Sequence, residues 1–221
     1  LTIIEDAAES LGARYYEKFV GQIGDIACVS FNGNKIATTG SGGMILTNNV
    51  DWANRAKHIT TQAKHDPLEY LHDEVGYNYR LNNVAAAIGV AQMEKLDSFI
   101  DKKRKIASIY DHAFSGFSDC TLMQEAHNSF STYWLYTLII NQSDFQRNSR
   151  QIIAELNKRG IQSRPLWCPA HRQDIYADCT YHGSNCADQL YAMGIQLPSS
   201  VGLKSEDQEY VIEQVMSLLT K

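Results

Sequence analysis

Two charged residues in this chain sit where strand-like runs end. Asp6 follows the apolar run Leu1-Thr2-Ile3-Ile4, with Glu5 beside it. Lys35 closes the turn Asn32-Gly33-Asn34 that follows the apolar run from Ile26 to Phe31. In open α/β sheets, ligands bind outside the carboxyl ends of strands. A carboxylate there faces a bound group, and a lysine in a glycine-containing turn is a candidate amine nucleophile. Ser30 adds a hydroxyl at the same strand end. The segment Gly76-Tyr77-Asn78-Tyr79-Arg80-Leu81 adds an amide and a guanidinium able to hold an anion or a partner chain. Taken singly, each has an ordinary explanation. Asp6 can cap a helix, Lys35 can be a surface lysine, and the tyrosines can be packing groups at a helix start. Taken together, they offer an acid, an amine and several hydrogen-bond donors where strands end. Pyridoxal 5'-phosphate needs that set: a lysine to form a Schiff base with its aldehyde, a carboxylate to keep its pyridine nitrogen protonated, and hydroxyls and amides for its phosphate.

The elements that must position these groups are short. Leu1–Ile4, Ile26–Phe31 and Met44–Thr47 read as buried parallel strands. Gly40, Gly42 and Gly43 mark tight turns or close backbone approach between the last two. Residues 51–62 read as a helix and 65–79 as a loop. From Leu81 a helical period runs to Ala113, with an irregularity near Leu96, and its charged run 101–105 reads as a solvated face. Residues 116–131 resemble a linker. A strand follows at 133–140, a helix at 149–159, a short strand at 161–164, and helices at 184–193 and from Ser205. The chain therefore divides near residue 115. Residues 1–115 form an α/β part that includes the long helix, and 116–221 form a smaller α+β domain.

Composition narrows the function. Of 221 residues, 44% are hydrophobic and 20% charged, which suits a globular domain with a real core. The net charge is −5, so no basic excess exists to neutralise a phosphate backbone, and nucleic acid is not an expected partner. No apolar run is long enough to span a bilayer, so no membrane partner is expected either. Five cysteines, an odd number in a chain of this size, argue for a reducing, cytoplasmic setting rather than a disulfide framework.

At these residues the sequence resembles the DegT/DnrJ/EryC1/StrS family of PLP-dependent sugar aminotransferases. The segments that carry the resemblance are IIEDAAESLGA (3–13), GDIACVSFNGNK (24–35), TGSGGMILTN (39–48), GYNYRLNNVAAAIGVAQMEKLD (76–97), RPLWCPAHRQDIY (164–176) and GIQLPSS (194–200). The separations of 24 from Asp6 to Ser30 and 29 from Asp6 to Lys35 are those the family shows. The resemblance implies the fold-type I, aspartate aminotransferase-like fold: part of an α/β large domain followed by a smaller α+β domain. It implies that Lys35 carries the cofactor and shuttles protons, that Asp6 pairs with the pyridinium, and that Ala8 packs on a cofactor face. Glu9 stands near the ring, and Ser30 contacts the phosphate. Asn78 reaches the phosphate of a neighbouring subunit, since family sites form across a homodimer interface. Arg80, Trp167 and His171 are implied substrate contacts. The substrates implied are an amino-acid donor, expected to be glutamate, and a nucleotide-linked keto sugar for surface glycan biosynthesis. Glu9 and the RPLW…H segment resemble the branch acting on UDP-4-keto-6-deoxy-N-acetylhexosamines. Full-length members carry a further segment ahead of the strand at Leu1, with a Gly-Thr phosphate loop and a ring that stacks on the cofactor. The sequence thus reads as a C-terminal portion of such an enzyme, the alternative being a non-catalytic remnant that folds without PLP.

Other readings rank lower. Cys168 with His171, Cys179 with His182, and Cys186 have zinc-like spacing. His171, however, falls inside a family motif, so no metal is expected. Gly40-Ser41-Gly42-Gly43 lacks the G-x-G-x-x-G spacing of dinucleotide-binding loops. Related sugar dehydratases resemble a pattern with His in place of the lysine, and Lys35 argues against that chemistry.

Overall fold

A computed structural model describes residues 1–66, 68–141 and 147–219. The chain forms two compact units. The first takes Leu1–Asp101 together with Glu125–Trp134, and the second takes Lys102–Gln124 and the chain from Leu135 onward.

The first unit is built on a three-stranded sheet of β1 (Ile4–Asp6), β2 (Ile26–Ser30) and β3 (Gly43–Thr47), in the order β1-β2-β3. β1 runs parallel to β2, with Asp6 opposite Cys28. β3 runs antiparallel to β2, with Gly43 opposite Ser30, where the sequence reading expects a parallel strand. The reason is the connection: residues 31–42 are turns, and a parallel return needs a crossover long enough for a helix. Side chains alternate across a strand. Ala27 and Val29 therefore point one way, into a core with Ala7, Phe31, Leu11, Val20 and Leu46. Asp6, Cys28 and Ser30 point the other way, to the open face. β1 is not buried as expected, since Ile4 is 71% exposed. It is an edge strand, and no second layer covers its open face among the described residues.

A hairpin of Arg14–Tyr15 and Lys18–Phe19 turns through Tyr16 and Glu17, both at positive φ, as a two-residue hairpin loop of primed type requires. Ser129–Phe130 adds a third strand to it, and this pairing draws residues 125–134 into the first unit. The expected linker thus contains ordered strand. Helix α1 (Val50–Thr60) is capped by the Asn49 side chain, which accepts from the N–H groups of Asp51 and Trp52. The expected loop after it includes a small hairpin of Lys64–Asp66 and Leu71–His72. The irregularity near Leu96 is a break between α2 (Asn83–Met93) and α3 (Leu96–Phe114).

In the second unit, β4 (Cys120–Leu122), β5 (Tyr136–Ile140), helix α4 (Ser149–Lys158), β6 (Arg164–Pro165), α5 (Cys186–Met193), β7 (Gly194–Leu197) and α6 (Ser205–Leu219) follow in turn. The antiparallel sheet has the order β6-β7-β5-β4. Every residue of β5 is buried. Ile152, Ile153 and Leu156 of α4 and Val211, Val215 and Leu218 of α6 bury the apolar stripes that their spacing announces. Asn148 and Gln151 close α4 with a reciprocal capping box. The run 101–105 is not uniformly solvated. Lys103 is buried, and its Nζ donates to the carbonyl and the hydroxyl of Ser199. The sequence-based boundary at 115 marks the end of α3, whereas the packing boundary lies inside that helix, between Asp101 and Lys102.

All five cysteines are free thiols. Among the described residues, no helix is long and apolar enough to cross a membrane.

Candidate active site

β1 and β2 end side by side, and the loops that leave them build one pocket. The Asp6 carboxylate accepts the N–H of Ala8 at 3.2 Å, which turns the chain sharply as it leaves β1. Ser10 N–H closes the turn on the Ala7 carbonyl. On the opposite face of β1, the Glu5 carboxylate accepts three backbone N–H groups, from Gly21 at 2.8 Å, Ile23 at 2.6 Å and Gly24 at 2.5 Å. Partial burial pushes this carboxyl up, but the donors from Gly24, Gly21 and Ile23 together outweigh it and hold the group below its ordinary range. Glu5 thus ties the end of β1 to the loop that leads into β2.

After β2, Lys35 N–H donates to the Asn32 carbonyl at 3.0 Å, and Thr39 N–H to the Phe31 carbonyl at 3.0 Å. This tight loop turns Lys35 back over the strand ends. Ala8, Glu9, Leu11, Ser30, Ile36 and Trp134 line the pocket around it. The Lys35 Nζ lies 3.2 Å from a Glu9 carboxylate oxygen and 4.0 Å from the centroid of the Trp134 ring. Its side chain is only 11% exposed, against 51% for Glu9. The Trp134 indole N–H donates to the Asn34 carbonyl at 2.7 Å. The arrangement holds a primary amine between a carboxylate and an aromatic face, with a hydroxyl and a methyl group on the same wall.

Of the residues singled out in the sequence, Lys35, Ala8, Glu9 and Ser30 meet in this pocket. Asp6 leaves the neighbouring strand on the face that Ser30 shares. Asn78 and Arg80 lie elsewhere in the unit. Asn78 bridges to Thr61 at the end of α1, and Arg80 lines a separate groove with Thr39, Asn82, Asn83, Val84 and Ile88 at the start of α2. Trp167 and His171 belong to the second unit, where His171 Nε2 is 2.9 Å from the Asp188 carboxylate and its ring is 4.2 Å from that of Tyr181. Trp134 was not singled out by sequence. It stands in the β-forming run Tyr133–Ile140, and nothing local links it to position 35, 99 residues away.

Among the described residues, the cysteines and histidines of the zinc-like spacing do not gather their ligand atoms into one group of three or more. His171 engages Asp188. Among the described residues, the one group of three or more ligand-type residues lying close together is that of His58, Asp73 and Glu74. It is a charge network: the Arg55 guanidinium contacts the Glu74 carboxylate, and His58 Nε2 lies 2.7 Å from Asp73. The hydrogen bond from His58 holds Asp73 below the ordinary carboxylate range.

The profile of the DegT/DnrJ/EryC1/StrS aminotransferase family matches residues 1–216. The chain belongs to this family. Aminotransferases of the DegT/DnrJ/EryC1/StrS family depend on pyridoxal 5'-phosphate. Over 215 residues the chain is 37% identical to GDP-perosamine synthase of Escherichia coli O157:H7, covering 97% of this chain and 57% of that protein. Over 224 residues it is 27% identical to a UDP-4-amino-4,6-dideoxy-N-acetyl-beta-L-altrosamine transaminase of Campylobacter jejuni, covering 100% of this chain and 59% of that one. Helicobacter pylori PseC, an aminotransferase involved in the biosynthesis of pseudoaminic acid, superposes with a TM-score of 0.90 at 26% identity, over 99% of this chain and 60% of its own. The fold is therefore an α/β portion of a fold-type I aminotransferase. The chain spans a little over half the length of the curated relatives it matches, 57% in the case of the E. coli protein.

Proposed function

We propose that this chain carries the lysine half of a PLP-dependent aminotransferase site, which moves an amino group from glutamate to the keto group of a nucleotide-linked deoxy sugar. One observation carries the reading. The Lys35 amine is folded back into a pocket with Glu9, Ser30 and Ala8, beside the strand end that bears Asp6. An amine, an acid and a hydroxyl at adjacent strand ends match the donor set the cofactor needs. When bound, pyridoxal 5'-phosphate supplies an aldehyde for amine capture and a ring that accepts electrons.

The chain's own residues then divide the work. Lys35 would hold the cofactor covalently and, once displaced by the donor amine, carry a proton to and from the donor's α-carbon. Asp6 would hold the ring nitrogen in its charged form by ion pairing. Ser30 O–H would donate to the phosphate, and the small Ala8 would leave room for the ring. Glu9, at 3.2 Å from the amine, would hold Lys35 in place between proton transfers. Asn78 of a second copy would complete the phosphate site in a homodimer. By the family resemblance, Arg80 in the first unit, and separately Trp167 and His171 in the second, would each be a candidate sugar contact. The identity of 37% to a GDP-perosamine synthase, against 27% to a UDP-sugar transaminase, favours a GDP-linked substrate over the UDP-linked one implied by the sequence motifs.

The test has two steps. The chain is loaded with pyridoxal 5'-phosphate, reduced with borohydride and mapped by peptide mass. A pyridoxyl group on Lys35 is expected. Loaded chain is then given glutamate and, separately, GDP- and UDP-linked 4-keto-6-deoxy sugars, with 2-oxoglutarate and amino sugar measured. Lys35→Ala should remove both products, because holder and proton carrier are lost together. Turnover at an ordinary rate in that variant would refute the assignment. A folded chain that takes up no cofactor would favour the non-catalytic reading.

A further inference from the structure

The indole of Trp134 meets the Asn34–Lys35 segment at two separated points. Its N–H donates at 2.7 Å to the carbonyl of Asn34, the residue just before Lys35. Its ring face lies 4.0 Å from the Lys35 Nζ, at the far end of the same side chain. One rigid side chain thus fixes both the backbone from which Lys35 departs and the amine in which it ends. A lysine stem has four rotatable bonds, and an amine left free samples many positions. Trp134 also arrives from a remote part of the sequence, brought into the unit by the pairing of Ser129–Phe130 with the Arg14–Tyr15 strand.

We infer that Trp134 is the positioning residue of Lys35, clamping its backbone and its amine so that the amine is presented in one place to the cofactor aldehyde. The inference rests on the proposed role of Lys35 and adds to it a residue that holds the lysine and the turn before it. The ring is the larger part of the clamp, because its face lies against the end of the side chain that carries the reacting nitrogen and limits where it can point. The N–H to Asn34 is the smaller part, since the turn is also closed by Lys35 N–H on the Asn32 carbonyl. Glu9 holds the amine from the other side.

The experiment compares wild type, Trp134→Leu and Trp134→Phe. Each is titrated with pyridoxal 5'-phosphate, reduced with borohydride and mapped, so that label on Lys35 is read against label on the other lysines. Thermal melting of each variant shows that it is folded. In wild type, Lys35 takes the label first. In Trp134→Leu, the cofactor concentration for half-labelling of Lys35 should rise about 3- to 30-fold, the range set by the rotamer freedom that a released lysine stem regains. The remaining lysines should label as before. Trp134→Phe keeps a ring face and drops the N–H donor, and it should recover most of the loss. Trp134 emission should also be quenched as Lys35 is labelled, with the quench absent from Trp134→Phe. Unchanged half-labelling in Trp134→Leu overturns the inference and leaves the role of Lys35 standing. Equal damage in Trp134→Phe and Trp134→Leu also overturns it, because the ring is then not the positioning group. No label on Lys35 in wild type removes the proposed function, and this inference with it.

Discussion

Lys103 offers a stability measurement that reads one buried amine. Its Nζ donates to the carbonyl and hydroxyl of Ser199, and only 4% of the residue is exposed. Burial pulls its pKa from 10.5 down to about 8. The sign follows from proton counting. Below about pH 8 the amine is charged in both the folded and the unfolded chain, and the full cost of burying the charge is present. Between about 8 and 10.5 the folded chain has released the proton while the unfolded chain still holds it. Unfolding then takes up a proton, so this group makes stability rise with pH. A shift of about 2.5 units at 1.36 kcal/mol each gives roughly 3 kcal/mol over that window. Other groups push the opposite way. Burial raises Cys120 to about 12, and Tyr110 and Tyr136 higher still, so these release protons on unfolding in the same range. The assay must therefore be a difference. Urea unfolding of wild type and Lys103→Met is measured from pH 7 to 10.5. Methionine keeps the stem and deletes the amine, leaving the Ser199 carbonyl without this donor, at about 1–3 kcal/mol. The wild-type curve should climb relative to the variant by about 3 kcal/mol across the window. A flat difference would refute the reasoning, because it would mean that the two Ser199 bonds keep the buried amine charged throughout.

Two further outcomes test the geometry of the site. In Gly43→Ala, the new Cβ would run into the Val29 carbonyl oxygen, a backbone contact that cannot swing aside. Since Gly43 faces Ser30, the variant should loosen the β2–β3 pairing, seen as faster amide exchange at Ser30 and weaker Lys35 labelling; native exchange rates would show that the strands simply shift. In Glu5→Gln, three N–H groups lose a charged acceptor, and after solvent screening the cost should be up to about 1 kcal/mol at neutral pH. Because the Glu5 carboxyl is held below 4.5, its contribution is complete above that pH and fades as pH falls through the folded-state value. The gap between wild type and variant should close in acid, and a pH-independent gap in urea unfolding would show that the charge is not the cause.

Much of the fold was legible because it rests on local pattern. The apolar stripes of α4 and α6, the buried run Tyr136–Ile140 and the helix break before Leu96 follow from side-chain period and from short-range capping. The presence of an amine, an acid and a hydroxyl at strand ends was equally a matter of spacing along 30 residues from Asp6 to Lys35. What the pattern could not give was the other half of each contact. The antiparallel direction of β3 depended on whether residues 31–42 could hold a crossover. Lys103 looked like its charged neighbours, and only α3 packing near Ser199 took it out of water. Trp134 read as one more strand-forming aromatic until the pairing of Ser129–Phe130 placed it over Lys35. Sequence period decides which face of an element is apolar, because that depends on neighbours three or four residues away. Which remote side chain fills the space above a given residue depends on how elements meet, and only the folded chain decides it.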